Sequence, residues 1–356
     1  MGPAALNALE LARELGHEEL VALQDPESGL VAFIALHDTT LGPAVGGTRM
    51  RSYPTRDAAA VDALRLSRAM TAKAALSGVL RGGGKAVIIG DPAHDKSEER
   101  LRAYAGAVHR LGGRFHTGSD MGIDGNDVAL MAQVTPYVSH ARSGGATTAA
   151  DLAALGVEVA IAAVAQALGR DLDGLTVALQ GLGEVGMRLA RGLRKAGARL
   201  IVADLDGARV EQACSALRAE VVPPSRIYDV EAHIFAPCAA GGVLDDETIP
   251  RLRCRAVVGA ANEQLAEPRH AEALLGRGIL YAPDYVVNAG GLISLLYEVG
   301  ETDEAGVVGR VREIGPRVAL ILERARGEGR SPSRVADRMV EERLAEARQA
   351  RRKEHR

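Results

Sequence analysis

The chain has 356 residues, of which 47% are apolar and 25% charged, and a formal net charge of -3. This length allows two domains, and the composition is that of an ordinary globular protein. The small net charge, the absence of tryptophan and the aromatic content of 3% argue against a nucleic-acid partner. The three cysteines lack the paired spacing of a metal site or disulfide framework, so we expect a reducing compartment.

The N-terminal stretch carries no sign of export. It reads MGPAALNALELARELGHEEL, which alternates charge and leucine at helical spacing and lacks the basic start and apolar core of a secretion signal. No apolar run approaches the roughly 18 uninterrupted residues that a bilayer span needs. We therefore predict a cytoplasmic protein without a membrane partner.

The first part of the chain alternates strand-like and helical stretches, which predicts an α/β layer structure. The strand-like runs are LVAFIALHD, AVIIGD and GRFHTG, and the helical stretches cover residues 55–77 and 96–111. A glycine-rich segment without strong periodicity, residues 137–155, is interpreted as a hinge. The predicted domains are residues 1–140 and 141–329, with a C-terminal helix at about 330–356 packing back on the first domain.

One stretch of the first part, VLRGGGKAVIIGDP at residues 79–92, places Lys85 between three glycines and an apolar run. A phosphate-binding loop is excluded, because it needs glycine where Val79 stands and serine or threonine where Ala86 stands. The order is also reversed, since a phosphate loop runs from strand to helix. Two interpretations remain at this point: a tight glycine loop with a solvated lysine, and a lysine placed for chemistry.

The second half carries a dinucleotide-binding fingerprint. Gly181, Gly183 and Gly186 follow the strand-like run TVAL and open a helical stretch, and Asp204 ends the next strand-like run. The glycines allow a pyrophosphate to approach the helix N-terminus, and the Asp204 carboxylate can bind the adenosine ribose. Because that anion repels a 2′-phosphate, we predict NAD over NADP. The alternative is a doubly wound domain whose glycine turn binds nothing.

Later strand-like runs, HIFAPC, AVVGAA and ILYAPD, fit the second half of such a sheet, where ligands bind at the carboxyl ends of the strands. From Ser331 and Pro332 onward the chain is a predicted polar helix. The residues expected around the cofactor in this half are Gly181, Gly183, Glu184, Val185, Gly186, Asp204, Leu205, Cys238 and Ala239.

In these motifs the chain resembles the amino acid dehydrogenases that act on glutamate, leucine, phenylalanine and valine, most closely the leucine and valine members. The resemblance runs from LQDPESGL to NAGGLISL and rests on VLRGGGKAVIIGDP, HDTTLGPAVGGTRM, GDPAHDKSEE, IFAPCAAGGVLDDETIP and YAPDYVVNAGG. It implies an N-terminal α/β domain for substrate binding and oligomerisation, a Rossmann-type NAD-binding domain, and a cleft between them. It also implies a homo-oligomer, from dimer to octamer.

By that resemblance Lys85 is the catalytic base, Asp120 is its proton-transfer partner, and Lys73 binds the substrate carboxylate. Desolvation and a second ammonium nearby would favour the neutral form of Lys85. The alternative is a salt bridge with Asp120 that keeps Lys85 charged. The residues expected to bind substrate are Lys73, Val45, Gly46, Gly47, Gly118, Asn288, Leu292 and Leu295, with Asn262 helping to position the nicotinamide.

The implied reaction converts an L-amino acid, NAD and water reversibly to a 2-oxo acid, ammonium and NADH, without a metal. The predicted side-chain contacts, at Val45, Gly118, Leu292 and Leu295, offer no group for a second carboxylate and favour a branched aliphatic substrate. Two alternatives stay open. One is a phenylalanine-preferring enzyme, since Gly118 leaves room for a ring, and the other is a non-catalytic NAD-binding relative.

The predicted hinge departs from the family. Where related enzymes carry two prolines and a threonine that helps to hold the nicotinamide carboxamide, this chain reads SGGATTAADLAALG, with Ala153 at the threonine position. A hydrogen bond of about 1 kcal/mol is therefore missing or supplied by Thr147 or Thr148. Loss of the prolines is expected to loosen the hinge.

Overall fold

The computed structural model describes residues 7–139 and 147–354. The chain divides into two compact units, the first formed by Met1–Gly144 with Val340–Arg356 and the second by Gly145–Met339. Both units are built of strands and helices, so the predicted two-domain α/β fold is confirmed. The predicted boundary between residues 140 and 141 lies outside the described residues.

The first unit is a mixed sheet with helices on its faces. Its strands pair in the order β1-β2-β5-β3-β6, and β4 also pairs with β5; the β1–β2 and β2–β5 pairs are antiparallel, and the others are parallel. The strands are β1 (Glu19–Asp25), β2 (Leu30–Asp38), β3 (Ala44–Val45), β4 (Thr48–Arg51), β5 (Gly82–Ile89) and β6 (Phe115–His116), and the helices are α1 (Ala8–Leu15), α2 (Arg56–Ser77), α3 (Glu98–Arg110) and α4 (Gly125–Ala132).

Local signals define the long helix α2. The Thr55 side chain accepts a hydrogen bond from Ala58 N, which caps the first turn, and Gly78 ends the helix in the left-handed region at φ +73°. The stretch predicted from the sequence, residues 55–77, includes the capping residue Thr55 and ends at the same residue as the helix. The cap and the terminal glycine therefore determine where Lys73 lies along α2.

The central strand β5 is buried on both faces of the sheet. Ala86 and Ile88 belong to the core that contains Tyr104 of α3, whereas Val87 belongs to the core that contains Leu64 of α2. Because successive strand residues point to opposite faces, Lys85 shares its face with Val87. Lys85 therefore lies on the α2 side of the sheet.

The glycines before Lys85 form part of a strand, so the interpretation of this stretch as a glycine loop is wrong. β5 begins at Gly82 and runs through Gly83 and Gly84 into Lys85. A Cβ atom on Gly83 would overlap the hydroxyl and the backbone nitrogen of Thr71 in α2. The missing side chains therefore let α2 pack directly on the strand that carries Lys85.

The second unit contains a parallel sheet with the order β12-β11-β10-β7-β8-β9, the doubly wound order that reverses between β7 and β10. Its strands are β7 (Thr176–Gln180), β8 (Arg199–Ala203), β9 (Glu220–Val221), β10 (Ile234–Pro237), β11 (Ala256–Val257) and β12 (Leu280–Tyr281). Its helices are α5 (Ala149–Ala167), α6 (Glu184–Lys195), α7 (Gly207–Leu217), α8 (His270–Gly276), α9 (Asp284–Val287), α10 (Gly290–Glu298), α11 (Glu304–Arg312), α12 (Ile314–Glu328) and the first residues of α13 (Pro332–Glu354).

Helix α5 begins inside the segment predicted to be a hinge. Thr148 caps it in a capping box with Asp151, so residues 149–155 are helical and the prediction of a hinge there is wrong. The part of the predicted hinge at residues 140–146 lies outside the described residues. Sequence periodicity missed the first turns because they are rich in alanine, which marks no apolar face.

The same helix is long and apolar enough to cross a membrane by length and composition. Its large side chains, including Val157, Ile161 and Val164, are buried, and it packs against α6, α10 and α12. It also carries the acidic residues Asp151 and Glu158. This environment is that of a core helix of the second unit.

Candidate functional site

The two residues predicted to move protons, Lys85 and Asp120, form an ion pair in the first unit. Lys85 Nζ lies 2.6 Å from Asp120 Oδ2. Lys85 is 7% exposed in β5, and Asp120 lies in the segment that follows β6. Of the two arrangements considered from the sequence, the structure therefore has the salt bridge.

A third charged side chain, Arg49 in β4, completes this group and was missed in the sequence. Its Nε lies 3.1 Å from the same Oδ2 of Asp120, and its Nη1 lies 3.2 Å from Asp62 Oδ2. Burial alone would raise the pKa of Asp120, but the charges of Lys85 and Arg49 outweigh burial and hold that pKa below its usual value. The Asp120 carboxylate is thus stabilised in its charged form.

The glycine pair between β3 and β4 packs on the same site. A Cβ atom on Gly47 would lie 2.9 Å from Asp120 Cβ, and one on Gly46 would overlap the carbonyl of Gly84. The pair therefore lets the chain lie against both the strand of Lys85 and the segment of Asp120. Close approach of a substrate to Gly46 and Gly47 stays a prediction.

The other predicted substrate residues of the first unit lie around this core. Lys73 is half-buried in α2, two residues after Thr71, which contacts β5 at Gly83. Val45 is buried in β3, opposite Gly83 in the sheet register. The carbonyl of Gly118 accepts a hydrogen bond from Thr48 N at 2.9 Å, which ties the segment after β6 to β4.

A buried network of hydroxyl groups, also missed in the sequence, supports the site from the opposite face of the sheet. Thr48 Oγ1 lies 2.6 Å from Tyr104 OH and 2.7 Å from Thr117 Oγ1. All three side chains are buried. The network joins β4, α3 and the segment leading to Asp120, so it connects the strand of Arg49 to its carboxylate partner.

The predicted cofactor turn lies at the carboxyl end of β7 in the second unit. Gly181 has φ +97°, and a Cβ atom on it would lie 2.8 Å from Cβ of Ala239, which follows β10. A Cβ atom on Gly186 would overlap the Gly181 carbonyl and lie 3.4 Å from Cys238 Cβ. The fingerprint turn therefore packs against the residues after β10, at the point where the strand order reverses.

The residues present fit a dinucleotide. Gly183 precedes α6 and gives it no side-chain cap, so the amide groups of its first turn, which includes Glu184 and Val185, are available to an anion. The Asp204 carboxylate accepts backbone hydrogen bonds from Leu182 N and Asp206 N. Each of its oxygens has a second lone pair for a ribose hydroxyl. Beside it, Leu205 is 92% exposed, an apolar surface of the kind that a base can cover.

The structure brings the two predicted asparagines together. Asn288 Nδ2 donates to Asn262 Oδ1 at 2.9 Å and to Ala260 O at 3.1 Å. Among the residues that the structure describes, Asn288 Oδ1 is buried without a hydrogen-bond partner. A buried acceptor left unpaired costs about 1–3 kcal/mol, so this oxygen is suited to a donor that arrives with a ligand.

The predicted pocket leucines follow closely in the chain. Leu292 and Leu295 lie in α10 and are buried. A Cβ atom on Gly290, the first residue of α10, would lie 2.9 Å from Cα of Ala153 in α5. Ala153 therefore lies where α5 meets the start of α10.

Thr147 and Thr148 are the two residues that could replace the threonine hydroxyl missing at Ala153, but each donates its hydroxyl proton to a nearby carboxylate. Thr148 Oγ1 donates to Asp151 Oδ2 at 2.6 Å, and the Thr147 hydroxyl donates to Glu304.

Burial raises the pKa of the Cys238 thiol to about 12, so this side chain is a neutral, apolar neighbour of the glycine turn. Within residues 7–139 and 147–354, no group of three or more His, Cys, Asp or Glu side chains could hold a metal ion.

Comparison with known proteins places this geometry in a family. The model of the Glu/Leu/Phe/Val dehydrogenase dimerisation domain matches residues 17–140, and that of Glutamate/Leucine/Phenylalanine/Valine dehydrogenase matches residues 202–314. Leucine dehydrogenase of Bacillus cereus is 41% identical over 350 residues, which are 97% of this chain and 96% of that protein. Phenylalanine dehydrogenase of Lysinibacillus sphaericus is 47% identical over 307 residues, which are 84% of this chain and 81% of that protein.

A solved structure agrees over the same length. The crystal structure of L-tryptophan dehydrogenase from Nostoc punctiforme matches with a TM-score of 0.83 at 41% identity, covering 96% of this chain and 99% of that one. The resemblance seen in the motifs is thereby confirmed, and the chain belongs to the Glu/Leu/Phe/Val family of amino acid dehydrogenases.

Proposed function

We propose that the chain catalyses the reversible oxidative deamination of a branched-chain L-amino acid, with NAD as hydride acceptor, to the 2-oxo acid, ammonium and NADH. The observation that carries this proposal is the buried contact of 2.6 Å between Lys85 Nζ and Asp120 Oδ2. A proton can pass directly across a hydrogen bond of this length. The identity of 41% to a leucine dehydrogenase supports the same substrate class.

The proposed mechanism begins from the ion pair. When a substrate ammonium enters beside Lys85, like-charge repulsion favours transfer of the Lys85 proton away from the site. The neutral amine of Lys85 then takes a proton from the substrate ammonium. A bound NAD would supply the acceptor for the hydride that leaves the substrate Cα. Lys85 passes the proton of the substrate ammonium through Asp120 to solvent and is neutral again when it removes a proton from the water that attacks the iminium carbon. Asp120 takes that second proton from Lys85 and gives it to the amino group, and ammonia leaves as Lys85 accepts the proton of the carbinolamine hydroxyl.

The other residues bind and orient. The Lys73 ammonium pairs with the substrate carboxylate. Asn288 Oδ1, which has no hydrogen-bond partner among the described residues, accepts a hydrogen bond from the substrate amine or from the nicotinamide carboxamide. The glycine turn and the first turn of α6 hold the pyrophosphate. The Asp204 carboxylate favours NAD, because it would repel the 2′-phosphate of NADP.

The proposed side-chain contacts are Val45, Gly118, Leu292 and Leu295, all apolar or without a side chain. They favour leucine, valine or isoleucine and give no partner to a second carboxylate. A phenylalanine-preferring enzyme is the second candidate. It is supported by Gly118, where the nearest atom of the described residues to an added Cβ would be Ser139 O at 3.4 Å, and by the identity of 47% to a phenylalanine dehydrogenase.

We further propose a cytoplasmic homo-oligomer. The match of residues 17–140 to a dimerisation domain supports an assembly through the first unit. Among the described strands of that unit, β1 lies at the end of the order, and we propose that a second copy pairs at this edge. Light scattering of the purified protein tests the subunit number, from two to eight.

Turnover of an amino acid panel, followed by the absorbance of NADH or NADPH, tests the substrate and the cofactor. The variant Lys85→Ala is expected to lose about 10²–10⁴-fold in kcat while it still binds NADH. Lys195→Ala, an exposed lysine at the end of α6, is the control and should keep its activity. Near-normal turnover of Lys85→Ala would refute the assigned base, and NADH binding without turnover of any amino acid would establish a non-catalytic relative.

A further inference from the structure

Two cations share one oxygen of Asp120. Lys85 Nζ lies 2.6 Å from Oδ2, and Arg49 Nε lies 3.1 Å from the same atom. The side chains of Lys85 and Arg49 are 9% and 12% exposed, and that of Asp120 is 25% exposed. Their charges are therefore poorly screened by solvent, and each strongly affects the others.

Arg49 is held from its other end by a second carboxylate. Its Nη1 lies 3.2 Å from Asp62 Oδ2 in α2, and the Tyr53 hydroxyl donates to that same oxygen. Lys85, Asp120, Arg49 and Asp62 thus form a row of alternating charges, with no net charge when all four are ionised. Buried ions of this kind are tolerated only when each has a partner.

The reaction disturbs this balance. When Lys85 gives up its proton, Asp120 loses one of the two cations at Oδ2, and a buried carboxylate without a counter-charge is costly. A guanidinium does not deprotonate in proteins, so Arg49 keeps its charge through every protonation state of Lys85. Arg49 therefore compensates Asp120 at the step where Lys85 is neutral.

We propose that Arg49 is a positioning residue for proton transfer: it holds Asp120 facing Lys85 and favours the charged form of Asp120 after each relayed proton has left, and Asp62 with Tyr53 fixes Arg49 in place. This inference rests on the proposed function of Lys85 and Asp120. The groups facing Asp120 are Lys85 of β5 and Arg49 of β4, and Lys73 lies on α2 on the same side of the sheet.

The direction of two pKa shifts agrees with this role. Burial would raise the pKa of Asp120, but Lys85 and Arg49 hold it below its usual value. Burial would lower the pKa of Arg49, but Asp120 and Asp62 raise it. Removal of the Arg49 charge should therefore raise the pKa of Asp120 and leave Lys85 as the only cation at its Oδ2, which strengthens the attraction between Asp120 and the Lys85 ammonium.

The test compares the pH profile of kcat/KM for deamination among four variants. Arg49→Met is expected to raise the pH at the midpoint of the rising limb by about one unit and to lower kcat at least about tenfold. Arg49→Lys keeps the positive charge, so its midpoint should lie close to that of the wild type. Asp62→Asn removes an anion and should move the midpoint down. The matched control is Arg51→Met, which removes an exposed charge two residues further along β4, where the guanidinium lies 4.9 Å from the centre of the Tyr53 ring.

A carboxyl titration by ¹³C NMR with labelled aspartate, assigned through Asp120→Asn, gives a reading that needs no turnover. The Asp120 signal should titrate at higher pH in Arg49→Met than in Arg51→Met. Coinciding profiles and titrations of those two variants would overturn the role of Arg49. If Arg49→Met does not fold, Asp62→Asn provides the test: a midpoint of the kcat/KM profile below that of the wild type supports the role of Arg49, and an unchanged or higher midpoint contradicts it. If the wild-type protein turns over no amino acid, the proposed function is refuted. The titration still shows whether Arg49 keeps Asp120 in its charged form, because it needs no turnover.

Discussion

Two histidines on the α2 face of the first unit predict how the protein loses stability in acid. His17 Nε2 lies 3.0 Å from Leu64 O and 2.8 Å from Ser67 Oγ, and the rings of His17 and His37 meet edge to face with centroids 4.7 Å apart. A carbonyl oxygen only accepts, so Nε2 carries the proton of the neutral His17 ring. Burial, and after it the neighbouring His37, lowers the pKa of His17 to about 4.

The sign of the effect follows from this depressed pKa. In the unfolded chain His17 is protonated as the pH falls through 6.5, whereas in the folded protein it stays neutral down to about pH 4. The contribution of neutral His17 to the free energy of unfolding is therefore complete above pH 6.5 and is lost as the pH falls from 6.5 to about 4. Between pH 7.5 and pH 4.5 the loss amounts to about 2.5 kcal/mol from His17 alone. Burial also lowers the pKa of His37, although Asp38 and Glu18 oppose this, so His37 adds a loss of the same sign.

Urea unfolding at fixed protein concentration, repeated between pH 4.5 and 7.5, measures this loss. His17→Gln keeps a hydrogen-bond donor but cannot titrate, so its unfolding free energy should fall less in acid than that of the wild type, by about 2.5 kcal/mol. His94→Gln is the control, because His94 is exposed and pairs with Asp91. Carboxylates such as Asp120 titrate in all these proteins, so the difference isolates His17. An equal acid slope in His17→Gln and the wild type would refute the reasoning.

Two further substitutions test the packing behind the site. Gly83→Ala forces a methyl group into the backbone of α2 and should lower the free energy of unfolding by at least about 1–3 kcal/mol, with loss of turnover. Gly106→Ala, on the open surface of α3, should raise the free energy of unfolding by about 0.5–1 kcal/mol. Thermal unfolding and activity of both variants test these two expectations. Tyr104→Phe removes a hydroxyl that is hydrogen-bonded to Thr48 and should cost about 1–2 kcal/mol; an unchanged melting temperature would contradict the assigned network.

Features with a local cause were predictable from the sequence. β2 spans the run LVAFIALHD, because its apolar residues and turn-bounded ends indicate a strand without reference to other elements. The fingerprint turn also lies where its spacing predicts, because Gly181 and Gly186 must allow close approach within one β7–α6 unit. Strand, turn and helix are contiguous in sequence, so the pattern is complete in about thirty residues.

Features with a distant cause were not predictable. Three consecutive glycines indicate a turn by local propensity, but Gly83 is in a strand because α2 packs against it. Arg49 was missed for the same reason, since its partner Asp120 is 71 residues away along the chain. The alternation of β4, with Thr48 and Met50 buried and Arg51 exposed, was the available signal. It indicates a charged side chain on the α2 face, but it does not identify the partner.

The chemistry of Lys85 depends on these distant partners. In the sequence it is compatible both with a solvated lysine and with a base, because the residues next to it in the chain do not show which charges surround it in the fold. In the structure it is buried beside a carboxylate that a second, permanent cation also neutralises. A lysine paired only with Asp120 would be held as an ammonium, since its proton loss would strand a buried anion. With Arg49 present the carboxylate keeps a partner after Lys85 is deprotonated, so the ion pair seen in the structure is compatible with the proposed role of Lys85 as a base during turnover.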